Sequence, residues 1–470
     1  MRLAEPMPWS ACASEPTTSS PPNEHERVLA LVRRFGSAAI SFQVLEPGYS
    51  YFFHGDEGCV AYVDTGKAWI AAGAPLADEA KMGAVAVAFV AAAHAANRRA
   101  CFFGVEAHAV HRLPLRWLLI GEQPMWDPGE WEATLRRSGS LREQLRRARA
   151  KGVSIRLLGP EEAPTLRSAT VAAMQSMKER WLSARELAPM HFLARVEPIM
   201  LLPDQRLYVA VRDGALVGSL SVAPICRRDG WLLQNLLRLP DAPNGTAEAL
   251  IDRAMRDASD AQRAFVTLGL APLAGNVRRP LRLARAAGRA LYNFEGLRAF
   301  RAKLLPARWD PVFLSFTAET SAPRAIVDVL SAFARDGLWR FGLRTLARGP
   351  TILVRLLMAL LVPWTAALAV ANADRWFPSP AIKWAWVAFD VMLAIGLGSL
   401  CLRWRTGLAR LLVIVIGCDA VATAIEAGWW NASHAKDLVA KMVVVAGVAA
   451  PALACLVLRQ AVRRRATARR

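Results

Sequence analysis

Residues 206–270 read RLYVAVRDGALVGSLSVAPICRRDGWLLQNLLRLPDAPNGTAEALIDRAMRDASDAQRAFVTLGL. Three runs rich in Leu, Val and Ala, at 207–212, 216–224 and 231–238, have the length and composition of strands. Asp213-Gly214 between the first two is a hairpin signal. The chain then turns through Ala242-Pro243-Asn244-Gly245-Thr246 into a helical stretch, 247–261, and a further strand-like run follows at 265–270. Upstream, 153–158 reads as a strand and 164–187 as a helix. Strand, helix, strands, loop, helix, strand is an α/β order.

That order resembles the acyltransferase fold called GNAT. In that fold the turn before the central helix exposes backbone N–H groups, which bind a phosphate at the helix N-terminus. The resemblance implies substrate-binding roles for Asn244, Gly245 and Thr246. Members that use acetyl-CoA carry a Gly/Arg-rich loop at this place. Here Arg238 is followed by Leu-Pro-Asp-Ala-Pro-Asn-Gly-Thr, with two prolines and one glycine. This argues against CoA as the donor, and no cofactor is expected.

Working outward, 28–130 reads as a first α/β unit. Short strands are expected at 51–53, 60–63 and 68–72, with turns at Gly55-Asp56, Gly58 and Thr65-Gly66. An Ala-rich helix is expected at 81–97 and a strand at 100–105. Asp127-Pro128-Gly129 and Trp131 lead into a basic helix, 140–151. Arg142, Arg146 and Arg149 fall on one face of it, with Arg147 and Lys151 beside them. Two readings stay open, a solvated face or a surface that contacts phosphates. The fold expected is α/β, with tandem GNAT-like units at 27–138 and 139–320 behind a disordered leader at 1–26. Residues 1–22 are rich in Pro, Ser, Thr and Ala without an apolar core, unlike a secretory signal.

Beyond residue 336 the composition changes. Apolar stretches at 352–371, 384–402, 408–427 and 438–458 are each long enough to cross about 30 Å of hydrocarbon. Trp384, Trp386, Trp404, Trp429 and Trp430 sit near their ends, as an interfacial aromatic belt requires. The expectation is a basic juxtamembrane linker at 321–350, a four-helix transmembrane bundle at 351–458 and a basic tail at 459–470. Arg340, Arg344 and Arg348 precede the first span. Arg403, Arg405 and Arg410 fill the second loop, and Arg459, Arg463, Arg464, Arg465, Arg469 and Arg470 follow the last span. The other loops hold only Arg375, Lys383 and Lys436. By the positive-inside rule, both termini and the soluble part face the cytoplasm. Asp390, Asp419 and Lys441 fall within spans, where pairing inside the bundle is the simplest account.

Hydrophobic residues make up 54% of the 470 and the net charge is +20, which suits anionic lipid or RNA as partner and equally an Arg-rich solvated surface. The seven cysteines include no CxxC pair, so neither a disulfide framework nor a zinc site is expected. His108 and His111 are read as ordinary histidines and no residue as a metal ligand.

Several stretches, in order, resemble the phosphatidylglycerol lysyltransferase (aminoacyl-phosphatidylglycerol synthase) family, over about 28–316. They are Gly121-Glu122, Trp126-Asp127-Pro128, Leu141-Arg142 through Lys151-Gly152, Trp181-Leu182 and 242–246. Leu268-Gly269-Leu270-Ala271-Pro272-Leu273, Tyr292-Asn293-Phe294-Glu295-Gly296-Leu297-Arg298 and Phe300-Arg301-Ala302-Lys303 complete the series. The resemblance implies an enzyme of the bacterial inner membrane. It takes an amino acid, lysine or similar, from aminoacyl-tRNA and esterifies it onto phosphatidylglycerol, lowering membrane anionic charge and conferring resistance to cationic peptides. In the family the membrane helices precede the catalytic part, and here they follow. The family carries Asp-Leu-Met-Arg where this chain has Asn235-Leu236-Leu237-Arg238.

Such chemistry needs positioning, neutralised phosphates and a stabilised oxyanion. Arg238 and Lys303 are the candidates for phosphate or oxyanion, Glu248 for positioning an amine or as base, and Asn235 holds the place of the family's acid. Arg142, Arg146, Arg149, Asn244, Gly245, Thr246 and Arg298 are the candidate substrate-binding residues. Asp252 and Glu295 are read instead as a helix-dipole partner and as a partner of Arg298. No Ser-His-Asp or Cys-His signature is apparent, which favours direct transfer. Two other readings stay open. One is an acyl-CoA or acyl-carrier-dependent N-acyltransferase on a lipid or peptide, and the other is a non-catalytic protein that binds lipid or RNA. The oligomeric state is not legible.

Overall fold

A computed structural model describes residues 23–158, 169–185, 187–196, 204–274, 294–335, 337–348, 350–371, 376–402, 404–434 and 438–467. Residues 1–22 of the expected leader, 164–168 of the expected helix, Tyr292, Asn293, Arg375, Arg403, Lys436, Arg469 and Arg470 lie outside them. The chain divides into two compact units, 1–182 with 189–340, and 183–188 with 341–470.

The first unit opens with α1 (Glu24–Phe35), closed at its start by Asn23 and Glu26 in a reciprocal capping box. Then follow β1 (Ser50–His54), β2 (Gly58–Asp64), β3 (Ala68–Ala72), β4 (Leu76–Ala77), α2 (Met82–Ala95), β5 (Arg99–Glu106), α3 (Ala107–Val110) and β6 (Arg116–Trp126). The helices α4 (Trp131–Arg137) and α5 (Gly139–Ala150) lead to β7 (Ser154–Leu157), α6 (Ala169–Ser183), β8 (Arg206–Arg212), β9 (Ala215–Ile225) and β10 (Gly230–Arg238). After these come α7 (Thr246–Asp260), β11 (Phe265–Thr267), β12 (Ala271–Pro272), α8 (Phe294–Lys303), β13 (Arg308–Phe316) and α9 (Ala322–Ala334).

These strands make one mixed sheet in the order β1-β2-β3-β5-β13-β6-β11-β10-β9-β8-β7, with β4 on β2 and β12 on β6. Of the four strands not expected from sequence, β4, β6, β12 and β13, the two long ones join the halves of the sheet. β13 lies between β5 and β6, antiparallel to both, with Arg308 opposite Met125 and Phe316 opposite Arg116. β6 then joins β11, with Val266 opposite Trp126. The sheet is therefore continuous across the expected boundary at 138/139. Within the stretch expected as a linker, α9 buries Ala325, Val329 and Ala332 in the same core as Ile70 and Phe316. Its Asp328 takes two hydrogen bonds from Arg99, of 2.6 and 2.8 Å.

The second unit contains most of α10 (Leu338–Arg348), then α11 (Pro350–Val370), α12 (Pro380–Leu402), α13 (Thr406–Glu426) and α14 (Leu438–Thr467). Among the described residues three helices are long and apolar enough to cross a membrane: Pro380–Leu402, Thr406–Asn431 and Lys441–Arg463. The first expected span, 352–371, falls in α11, of which Val354–Val370 counts as a shorter apolar helix, so three of the expected four meet that length among the described residues. Many apolar side chains on these helices face outward, among them Ile395, Ile414, Val421 and Leu456. A water-soluble protein would bury them.

Candidate functional site

The sheet of the first unit opens between β10 and β11. β10 and β11 run parallel and pair over only three residues, Gly230–Leu232 against Phe265–Thr267. Beyond Thr267 the chain stays with β6, where Ala271 faces Glu122, and β10 continues alone beside β9. A crevice at the C-terminal ends of parallel strands joined through a helix is where α/β sheets bind ligands. The expected strand at 265–270 stops at 267 for two visible reasons. Gly269 adopts φ +68°. The carbonyls of Leu268 and Gly269 accept hydrogen bonds of 2.7 and 2.8 Å from the buried Arg301 guanidinium.

On the other lip, β10 carries a bulge between Gln234 and Leu237. Asn235 sits in it with φ +48°, a left-handed conformation that Asn and Asp tolerate better than other side chains. Ser221 lies opposite Gln234, and Ser219 opposite Leu237. Gln234 Oε1 and Ser219 Oγ are buried and have no hydrogen-bond partner among the described residues. Each such atom costs about 1–3 kcal/mol in a core, so this patch is polar by more than accident.

Arg238 ends β10 and folds the following loop onto itself. Its Nη2 donates to the Ala242 carbonyl at 2.7 Å and to Asn244 Oδ1 at 3.1 Å, and its Nε is buried and unpartnered. The helix α7 begins without a side-chain cap, and Gly245 before it has φ +93°. A Cβ on Gly245 would lie 2.0 Å from the Gln144 carbonyl oxygen, so the backbone of α5 packs directly on this turn. Thr246 is buried, and both its N–H and its hydroxyl donate to the Pro243 carbonyl, at 3.3 and 2.7 Å. Of the three expected cradle residues, Asn244 alone is exposed. Glu248, in the first turn of α7, is half-buried and makes no side-chain hydrogen bond among the described residues.

The three arginines of α5 have separate neighbours. Arg142 donates to the carbonyls of Leu135 (2.7 Å) and Arg136 and so closes the C-terminus of α4. Arg146 grips Glu143 through two bonds of 2.8 and 2.9 Å, and Arg147 reaches the same carboxylate at 2.7 Å. Those hydrogen bonds hold the Glu143 carboxyl down at about 2. Arg149 lies 3.7 Å from Asp252. Asp252 is buried and accepts from the Trp131 indole at 2.9 Å and from Arg256 at 3.2 Å, which ties α4 to α7. Glu143, Asp252 and a helix end thus each take up one of these three charges, while Arg146 and Arg149 stay about 70% exposed.

The α8 candidates separate. Arg298 lies 3.6 Å from Glu122 and stacks over Trp309 at 4.8 Å, with a buried, unpartnered Nε. Lys303 is exposed and has no partner among the described residues. Arg301, two residues earlier, was passed over. It falls one turn after Leu297 and directly follows Phe300, on the buried side of α8, and that spacing could have flagged it.

Fold and crevice together define a mixed α/β protein with arginines at the opening between the parallel strands β10 and β11. The chain belongs to the family described as phosphatidylglycerol lysyltransferase, C-terminal, whose model matches residues 29–316, more than half of the chain. It is 22% identical over 309 residues to the phosphatidylglycerol lysyltransferase of Bacillus subtilis, covering 63% of this chain. It spans only 35% of the length of that relative. The structure of L-PGS from Bacillus licheniformis superposes with a TM-score of 0.56 at 18% identity, over 68% of this chain and 97% of that one. A C-terminal domain from Agrobacterium fabrum, provisionally assigned as a lysylphosphatidylglycerol synthetase, gives 0.55 at 24% identity, over 66% and 95%. At these identities the two structures speak to the fold.

Proposed function

We propose that this chain is a membrane-anchored aminoacyltransferase with two GNAT-like units, 27–138 and 139–320. It transfers an amino acid, lysine or similar, from aminoacyl-tRNA to phosphatidylglycerol and so makes the membrane surface less anionic. The observation that carries the reading is the family match, which spans the sheet from α1 to β13 and includes both lips of the crevice. A hydroxyl of the lipid glycerol attacks the aminoacyl carbonyl, the new ester forms, and the tRNA ribose hydroxyl leaves with a proton. Arg238 stands at the crevice end of β10, where a guanidinium can offset phosphate or oxyanion charge. Asn235 and Asn244 supply amides beside it, and Arg298 and Lys303 supply further cations from α8. Arg142 serves mainly to hold α4 onto α5, which presents Arg146 and Arg149 to the tRNA backbone. Gly245 and Thr246 shape the turn that seats α7, and Glu248 is the candidate base, with an effect of about 10²–10⁴-fold.

In this reading the apolar helices cross the inner membrane several times, with both termini and the first unit in the cytoplasm, where charged tRNA is found. The test is mass spectrometry of lipid extracts from cells with and without the protein. An aminoacylated phosphatidylglycerol present only in the first supports the proposal, and identical lipid profiles refute it. A chain carrying Arg238→Ala should give the profile of cells without the protein.

A further inference from the structure

Away from the crevice, Ser37, Glu106 and His108 converge. Ser37 follows α1, Glu106 ends β5 and His108 lies in α3. Ser37 Oγ is 2.9 Å from His108 Nε2, and His108 Nδ1 is 3.7 Å from Glu106 Oε2. Glu106 is buried and firmly held: Oε1 accepts from the Ala39 N–H at 2.6 Å, and Oε2 from Arg228 Nη1 at 2.8 Å. Arg228 is itself fixed over Phe265 at 4.7 Å and reaches the Ser37 carbonyl at 3.4 Å. The histidine side chain is 28% exposed and Ser37 is half-buried, so the pair is open to a solute.

A nucleophile within hydrogen-bond reach of a base, with the base oriented by a third group, is the geometry of nucleophilic catalysis. The 3.7 Å separation fits a resting site, because such contacts tighten only once substrate binds. Burial pulls the imidazole below its ordinary range, opposed by Glu106, so near neutral pH it is the free base. We propose that Ser37, His108 and Glu106 form a second catalytic site, acting on carboxylic esters by an acyl-serine route. Ser37 Oγ bonds to the acyl carbon while its proton passes to His108 Nε2. The C–O bond to the alcohol breaks, and the departing oxygen takes that proton. Water then attacks the acyl-serine by the same proton path, so that ester and water give acid and alcohol. The Arg228 cation beside Ser37 favours the oxyanion. Glu106 is a positioning residue, since it acts through His108. This site is independent of the transferase assignment.

The test uses the full chain in detergent with an alkyl fluorophosphonate and with 4-nitrophenyl acetate. The expected results are a covalent adduct on Ser37 in peptide mass analysis and ester turnover. Ser37→Ala should lose both, and His108→Gln should lower turnover about 10²-fold or more. Of the charged groups around the imidazole, Glu106, Glu79, Arg228 and Arg112, Glu106→Gln removes one that raises its pKa. The acidic limb of the pH–rate profile should then move to lower pH, a shift that a merely structural carboxylate would not produce. Wild-type protein that forms no adduct on Ser37 overturns the proposal without reference to any variant. So does a Ser37→Ala protein that hydrolyses the ester at the wild-type rate.

Discussion

Replacing Gly245 by alanine tests how the crevice loop is seated. The new Cβ would lie 2.0 Å from the Gln144 carbonyl oxygen, 2.8 Å from its carbon and 3.2 Å from the Ala148 methyl. None of these belongs to a flexible side-chain end, so α5 must move away from α7 by about 1 Å. The left-handed φ of +93° adds about 1–2 kcal/mol for an L-residue. Forcing an extra methyl into packed structure adds about 1–3 kcal/mol. The sum is about 2–5 kcal/mol, a fall in Tm of about 4–15 °C at about 2–3 °C per kcal/mol for a unit of this size. Gly152 supplies the control, since it has φ +75° with nothing within 4 Å of an added Cβ. Gly152→Ala should therefore show the backbone strain alone, about 1–2 kcal/mol. Thermal melting of both variants in one detergent separates the two effects. Equal falls for Gly245→Ala and Gly152→Ala would refute the packing of α5 on the α7 turn.

Arg301→Met strips the donors from the Leu268 and Gly269 carbonyls and should destabilise by about 2–6 kcal/mol in denaturant titration, whereas the exposed Lys303→Met should stay within about 0.5 kcal/mol. Trp131→Phe leaves the buried Asp252 one donor short and should cost about 1–3 kcal/mol by the same measurement. The folded-state pKa of Glu143 is depressed from the ordinary 4.5 to about 2 by Arg146 and Arg147. Its support of α5 is therefore complete above pH 4.5 and is lost as pH falls through about 2. Hydrogen-exchange protection of α5 amides, corrected for intrinsic rate, should follow that course and lose it in Glu143→Gln. Asn235→Asp keeps a side chain that tolerates the left-handed bulge, so Tm should hold within about 2 °C, the equivalent of an ordinary surface change. The amino acid found on the lipid should nevertheless change, and an unchanged lipid product would place Asn235 outside substrate recognition.

Local pattern made the β10-β9-β8 side of the sheet legible. Strands at 207–212, 216–224 and 231–238 match β8, β9 and β10 closely, because apolar runs and the Asp213-Gly214 turn act within a few residues. β6 and β13 were hidden for the opposite reason. β6 contains Gly121 and Pro124, β13 contains Pro311, and what holds them is pairing between segments nearly 200 residues apart. The arginines showed the same division. Helical spacing placed Arg142, Arg146 and Arg149 on one face, yet only the fold reveals that each has a different neighbour. Ser37 and His108, 71 residues apart, could not be joined by any local rule. The apolar C-terminal stretches were the plainest signal, and three of the four meet a membrane-spanning length among the described residues.

The crevice shows how geometry and charge separate at one position. The bulge of β10 demands a left-handed residue at 235, and Asn and Asp satisfy that demand about equally. The backbone therefore leaves the charge of the side chain free to vary. The opposite lip has no comparable freedom, since Gly269 and the two carbonyls held by Arg301 fix its course. In the proposed function, residue 235 would then bear on what enters the opening while Arg301 holds its course. With an amide at 235 and Arg238 at the strand end, the bulge offers a neutral hydrogen-bonding group near a cation. Such a surface discriminates less sharply for a cationic side chain than a carboxylate would, because no opposite charge at 235 rewards it. Under the proposed function, the choice of amino acid would then rest on hydrogen bonds and shape rather than on charge.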